Sequence, residues 1–334
     1  MDRTQFRQDV RIVEATVAVT SNQASLLPVL PPPLEVHSLH TDFREVEPIP
    51  LCSRPDGSIL IAEDPAAPLR YRISGTRARW EGPLNSLTRR ASDPRFSLWG
   101  NLGFLFRFAL FLLEKKHRIH NLHAGALYEP SRHRLFVIIG GPGSGKTVYL
   151  LSGLERKLSL FSTETVHFRH EGRSVRWFTG SLVDNVRIGT LRRHFPRFLP
   201  APMGVPDEDA DNQKKAIDLS TFRYPENSLV DPTVVLLFPR IEEELGTFVL
   251  RPLGDERQTI QSLFANITEK LSQTTLLYDR IPVPGFDRME LAEARRRACQ
   301  DLARHKTIAF SGAVRSGPTE CWGDLLERRF PKRS

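Results

Sequence analysis

The residues with the most explicit chemistry are Gly140-Gly141-Pro142-Gly143-Ser144-Gly145-Lys146-Thr147. The run satisfies the pattern GxxxxGK[ST] without deviation, and its context suits that pattern. A continuous β-rich run, Leu135-Phe136-Val137-Ile138-Ile139, precedes it, and a helical pattern from Thr147 to about Leu158 follows. Glycines let consecutive backbone N–H groups turn toward one anion, and a helix N-terminus adds partial positive charge. The expected ligand is the phosphate chain of a nucleoside triphosphate. Lys146 is expected to reach the β- and γ-phosphates as a point charge, and the Thr147 hydroxyl to ligate Mg2+.

Such a loop needs carboxylate chemistry beside it to hold the metal or polarise a nucleophile. The apolar strand Thr233 to Phe238 ends in Pro239-Arg240 with no acid at its tip, although Glu242, Glu243 and Glu244 follow. There is no NKxD segment and no DxxG switch, which argues against a small GTPase. The nearest acid at a strand end is Glu164, one helix and one short strand beyond Lys146. Upstream, His123 sits in Asn121-Leu122-His123-Ala124-Gly125-Ala126-Leu127. Asp184, Arg240, Lys214 and Lys215 are secondary candidates: Asp184 for metal or substrate, the cations for phosphate. For each, a structural alternative stands beside the functional one: a cap or turn for Asp184, pairing with nearby glutamates for Arg240, and solvation for the lysines.

The order of these parts resembles the HPr kinase/phosphorylase group, which is related to ATP-dependent phosphoenolpyruvate carboxykinase. The resemblance covers about residues 119 to 170 and extends weakly through Trp177 to Pro196. It implies an α/β P-loop kinase domain with a mixed sheet, ATP and Mg2+ as cofactors, and transfer of phosphate to a hydroxyl on a protein serine or a small molecule. It also implies roles. Gly140, Gly143, Gly145, Lys146 and Thr147 form the phosphate loop, and His123 lies near the reacting phosphate. Glu164 supplies one carboxylate of an acidic pair, as metal ligand or base. Thr163 stands where the family commonly carries the proton-accepting aspartate. Either Glu164 does the work of both, or another carboxylate such as Asp184 enters, or the activity has changed. The proline- and arginine-rich loop that serves dephosphorylation is not found, so neither phosphorylase activity nor HPr as substrate is implied.

Around these residues the chain must supply positioning elements. Residues 1–35 read as a mobile lead-in ending in the proline run Leu30-Pro31-Pro32-Pro33-Leu34. Residues 36–95 read as a small β-rich N-terminal domain, with a strand at Ser58 to Ala62 and a hairpin turning at Ser74-Gly75-Thr76. Residues 96–334 read as the nucleotide-binding kinase-like domain. Leu98 to Leu113 is the most apolar stretch; it is too short to span a bilayer and reads as a buried helix despite Arg107. Further strands are expected at 158–161, 247–250 and 307–310, and helices over Ile260 to Leu271 and about Arg288 to Ala303. Leu199 to Lys215, with its acidic run, reads as an exposed loop.

Composition is compatible with this. The 334 residues are 40% hydrophobic and 26% charged, a globular balance. The three cysteines, Cys52, Cys299 and Cys321, form no CxxC pair, and the N-terminus carries no signal-peptide pattern; a cytoplasmic compartment is expected. The net charge of +8 is dispersed in short clusters without a nucleic-acid-binding pattern. No membrane span is expected, and a homo-oligomer is compatible with the resemblance. The alternative function is an ATPase or nucleotide switch, or a catalytically altered nucleotide binder, working through a partner.

Overall fold

The computed structural model describes residues 5–30, 45–141, 143–199, 211–241, 249–305, 308–315 and 318–327. The chain forms two compact units. One comprises Met1–Ile119 and Glu269–Leu291, the other His120–Thr268 and Ala292–Ser334.

The first unit carries strands β1 (Phe6–Ile12), β2 (Ala15–Ser21), β3 (Glu47–Ile49), β4 (Gly57–Glu63), β5 (Arg70–Ser74) and β6 (Arg77–Gly82), in the sheet order β3-β1-β2-β4-β6-β5. β2, β4 and β6 run parallel; β1 and β5 pair antiparallel to their neighbours. Helices α1 (Leu84–Arg90) and α2 (Phe104–Leu112) follow, and the returning segment adds the hairpin β18 (Thr275–Leu277) and β19 (Ile281–Val283). Every residue of α2 is buried, and Phe104, Phe108 and Phe111 pack their rings against Phe286. Arg107 is tolerated inside this apolar helix because its guanidinium donates to the carbonyls of Lys270 (2.9 Å) and Gln273 and to the Thr275 hydroxyl. Burial pushes its pKa down to about 10.

Two sequence expectations are corrected here. Residues 6–21 are not a mobile lead-in but two strands inside the sheet, because Val10 and Ile12 face Val17 and Ala15 in one antiparallel register and are buried with them. The apolar stretch up to Ile119 belongs to the first unit rather than to the unit with the glycine loop, because its ring contacts are made to that unit. The proline run at 31–33 lies outside the described residues.

The second unit contains β7 (His120–Leu122), β8 (Ala124–Glu129), β9 (Arg134–Ile139), α3 (Lys146–Glu155), β10 (Ser159–Ser162), β11 (Val166–Glu171), β12 (Ser174–Phe178), β13 (Val183–Arg187), α4 (Ile188–His194), β14 (Lys214–Asp218), β15 (Ser228–Val230), β16 (Thr233–Arg240), β17 (Val249–Pro252), α5 (Glu256–Ser272), α6 (Met289–Arg304), β20 (Ile308–Arg315) and α7 (Pro318–Glu327). Its main sheet is mixed, ordered β10-β8-β9-β16-β20-β17, with β9, β16 and β20 parallel. An antiparallel sheet, β15-β12-β11-β7, and the ribbon β13-β14 complete it.

The apolar runs of β9 and β16 follow from burial on both faces. Phe136, Ile138, Val235 and Leu237 join α3 and α7 in one core cluster; Leu135, Val137, Val234 and Leu236 join α5, α6, β11 and β12 in the other. Burying each such side chain contributes roughly 1.5–3 kcal/mol. Trp322 closes the first cluster: it is fully buried, edge-on to Phe136, and its indole N–H donates to the Tyr149 carbonyl at 2.9 Å. Trp322→Ala is therefore expected to destabilise the chain by roughly 3–5 kcal/mol in denaturant unfolding. A loss below about 1 kcal/mol, the size of a surface change, would mean that α7 does not close this core.

Candidate functional site

β9 delivers the chain to the glycine loop, and α3 begins at Lys146. Gly143 and Gly145 adopt φ of 80° and 99°, in the left-handed region that a side chain would strain. Gly145 has a second constraint: a Cβ there would lie 2.6 Å from Ile241, whose backbone N–H donates to the Ser144 carbonyl at 3.3 Å. The loop is thus braced from the end of β16. The Lys146 ammonium donates to the Gly140 carbonyl at 2.5 Å, curling over the loop. Pro142 lies outside the described residues.

His123 and Glu164 meet because two strand pairs bend together. β8 and β10 pair in the main sheet, β7 and β11 in the smaller one. Leu122 pairs with Val166 and Ala126 with Ser162, next to a register shift in β10; between the two ladders the Ala124 N–H donates to the Glu164 carbonyl at 3.1 Å. His123 lies in the break on one strand, and Glu164 lies between Thr163 and Thr165 in the break on the other. Their side chains approach to 3.3 Å, Nε2 to carboxylate oxygen. Asn266 on α5 holds the His123 backbone from both sides, accepting from its N–H at 2.8 Å and donating to its carbonyl at 3.1 Å.

The second carboxylate is Asp184 on β13, the alternative weighed from sequence. It is 1% exposed, with the Glu164 carboxyl and the Thr147 hydroxyl against it. No hydrogen bond of good geometry reaches either carboxylate oxygen. Burial, and then the charge of Glu164, push its pKa well up. Thr163 contributes differently. Its hydroxyl is buried and donates to the carbonyls of Ser181 (2.9 Å) and Val183 (2.7 Å), and its N–H to Ser181 (2.8 Å). With its proton given to the backbone, Thr163 is no base; it ties the Ser181–Val183 segment to the end of β10 and so sets where Asp184 enters.

His123, Lys146, Thr147 and Glu164 line one cavity of about 620 Å³, together with Asn185, Arg187 and Lys214 from the β13-β14 ribbon. Lys214 and Lys215 begin β14, so the exposed loop read over 199–215 does not extend that far; residues 200–210 lie outside the described ones. Arg240 ends β16 and is exposed, and Glu242, Glu243 and Glu244 are not described. Asn185 was weighed from sequence beside Asp184, as a cap or turn or for a substrate or metal role; Arg187 and Ile241 were not singled out, and no local pattern marks them.

Among the described residues no group of three or more His, Cys, Asp or Glu side chains forms a metal cluster. The hard oxygen set of Asp184, Glu164 and the Thr147 hydroxyl nevertheless fits Mg2+, which binds through one or two carboxylates and keeps several waters. The orphaned Asp184 oxygens are the observation that supports the fit. No helix among the described residues is long and apolar enough to cross a membrane.

Two outcomes are expected. A carboxyl whose pKa folding raises costs stability as pH climbs above its unfolded value of about 4. Without divalent cation, Asp184→Asn should therefore raise the thermal midpoint at neutral pH and lose the upshift that Mg2+ gives the parent chain. A lowered midpoint in EDTA would contradict the buried carboxyl pair. Thr163→Val, which keeps the shape but frees the carbonyls, should cost about 1–2 kcal/mol in chemical denaturation, the size of a buried hydrogen bond lost on one side.

No protein-family model matches the chain, and no curated protein matches it. Among solved structures, the Hpr(Ser) kinase/phosphatase from Coxiella burnetii is similar at 14% identity, over 40% of this chain and 76% of that one, with a TM-score of 0.24. The likeness is weak.

Proposed function

We propose that this chain is a Mg2+- and ATP-dependent phosphotransferase acting on a hydroxyl. The observation that carries the reading is the convergence of Thr147, Glu164 and the buried Asp184 beside the glycine loop. A loop that turns its backbone through Gly143 and Gly145 at a helix start suits a phosphate chain, and Lys146 adds a positive charge at the loop. Thr147 and Asp184, with Glu164, would hold Mg2+, which when bound offsets negative charge on the transferring phosphate.

In this reading the acceptor oxygen forms a bond to the γ-phosphorus while the bond from that phosphorus to the β–γ bridging oxygen breaks. ADP leaves with the electron pair. The hydroxyl proton passes to the Glu164 carboxylate, which His123 Nε2 orients at 3.3 Å. Asn266 keeps the histidine in place through its backbone. Sequence resemblance to the HPr kinase/phosphorylase group points the same way.

The test is transfer of γ-label from ATP to a panel of hydroxyl compounds and serine peptides. Glu164→Gln should retain nucleotide binding but lose transfer by roughly 10²–10⁴-fold, the usual contribution of a general base. Lys146→Met should lose both binding and transfer. Label that passes only to water across the panel would remove the kinase reading and leave an ATPase.

A further inference from the structure

We infer that Arg187 and Lys214 form an anion clamp for the acceptor, which is then a small hydroxyl compound that also carries a phosphate or carboxylate group. The inference rests on the phosphotransfer reading and extends it to the substrate class.

The two residues are direct partners in the antiparallel β13-β14 ribbon, and both are exposed. Residues directly opposite in such a pair project from the same face with Cβ atoms about 5 Å apart, and like charges so placed repel. Asn185, two residues before Arg187, shares that face by strand alternation. All three line the cavity that holds Lys146, Thr147, Glu164 and His123. The ribbon therefore presents an amide and two cations toward the place where transfer would occur.

Arginines on the neighbouring helix are paired instead. Arg192 and Arg193, on α4, bind the Asp211 carboxylate at 3.1 and 2.7 Å. Among the described residues, neither Arg187 nor Lys214 has an ion pair or a side-chain hydrogen bond. The nucleotide's own charge has separate partners in the glycine loop, Lys146 and the carboxylate-held metal. Two adjacent cations without a counter-charge are the arrangement an incoming anion relieves. A guanidinium beside an ammonium suits a planar carboxylate or a phosphate, bidentate on the first and point-charged on the second. A cavity of about 620 Å³ is of the size that takes a small molecule.

The experiment has two steps on the full chain. The affinity of a non-hydrolysable ATP analogue with Mg2+ is measured first, for the parent chain and for Arg187→Gln/Lys214→Gln. Inorganic phosphate, and in parallel acetate, is then titrated by calorimetry into the nucleotide-saturated proteins. The expected result is anion binding to the parent that weakens at least tenfold in the double variant, while nucleotide affinity changes less than twofold. Whichever anion binds more tightly assigns the phosphate or carboxylate class. Arg187→Glu/Lys214→Glu, which changes only exposed side chains and should keep the parent's thermal midpoint, should bind neither anion. Absence of anion binding to the nucleotide-saturated parent, or equal binding by the variants, overturns the clamp. So does a tenfold loss of nucleotide affinity, which would give these cations to the nucleotide. Failure of the parent to bind the analogue in the first step sinks the phosphotransfer reading, and the clamp with it.

Discussion

In the second unit two antiparallel strand pairs, β7-β11 and β8-β10, meet end to end, and the candidate site lies at their junction. Leu122 with Val166 belongs to one sheet and Ala126 with Ser162 to the other, and a backbone bond from Ala124 to Glu164 links the strands between them. Residues 123 and 164 sit where both strands leave one sheet for the next, so their side chains are held together by backbone bonds rather than by their own attraction. A slip of one residue would turn His123 to the opposite face. Asn266 guards against that slip by holding both polar backbone groups of His123.

That bend imposes an electrostatic cost. Glu164 is set beside Asp184, which is buried and has no compensating hydrogen bond of good geometry. Two carboxylates in a low-dielectric site repel, and one of them is driven toward its neutral form. The backbone does not allow them to separate, because Thr163 ties the segment before Asp184 to the end of β10 through two carbonyls. The site is thus strained toward accepting positive charge at its carboxylate end, while the β13-β14 ribbon places cations with no partner among the described residues toward the same cavity. Opposite charge demands a few residues apart suit a ligand that brings both a divalent cation and anionic groups.

The scaffold bears this strain because its core is closed on two sides. β9 and β16 bury alternate residues in different clusters, so the loop at the end of β9 and Ile241 beyond β16 are anchored by the same sheet. Within the first unit, an aromatic cluster around α2 does comparable work, and Arg107 is accommodated there only by giving its protons to three oxygens.

What sequence by itself determined was local. The glycine loop between an apolar run and a helix, the doubly buried strands, the β5-β6 hairpin and the helices α5 and α6 are readable because each follows from spacing within a short window. Glu164 could be named for the same reason, standing at the end of a recognisable strand, whereas His123 was named through the resemblance to the HPr kinase/phosphorylase group. The lead-in was misread because the alternation of β1 and β2 is brief and the proline run after it dominates the pattern. Tertiary structure alone decided which residues meet. That Asp184 reaches Thr147 and Glu164, that Thr163 spends its hydroxyl on two carbonyls, and that Arg187 stands opposite Lys214 all depend on pairing between segments distant in the chain. Such pairing is set by register and by burial of opposite sheet faces, and neither is a property of any one stretch of residues.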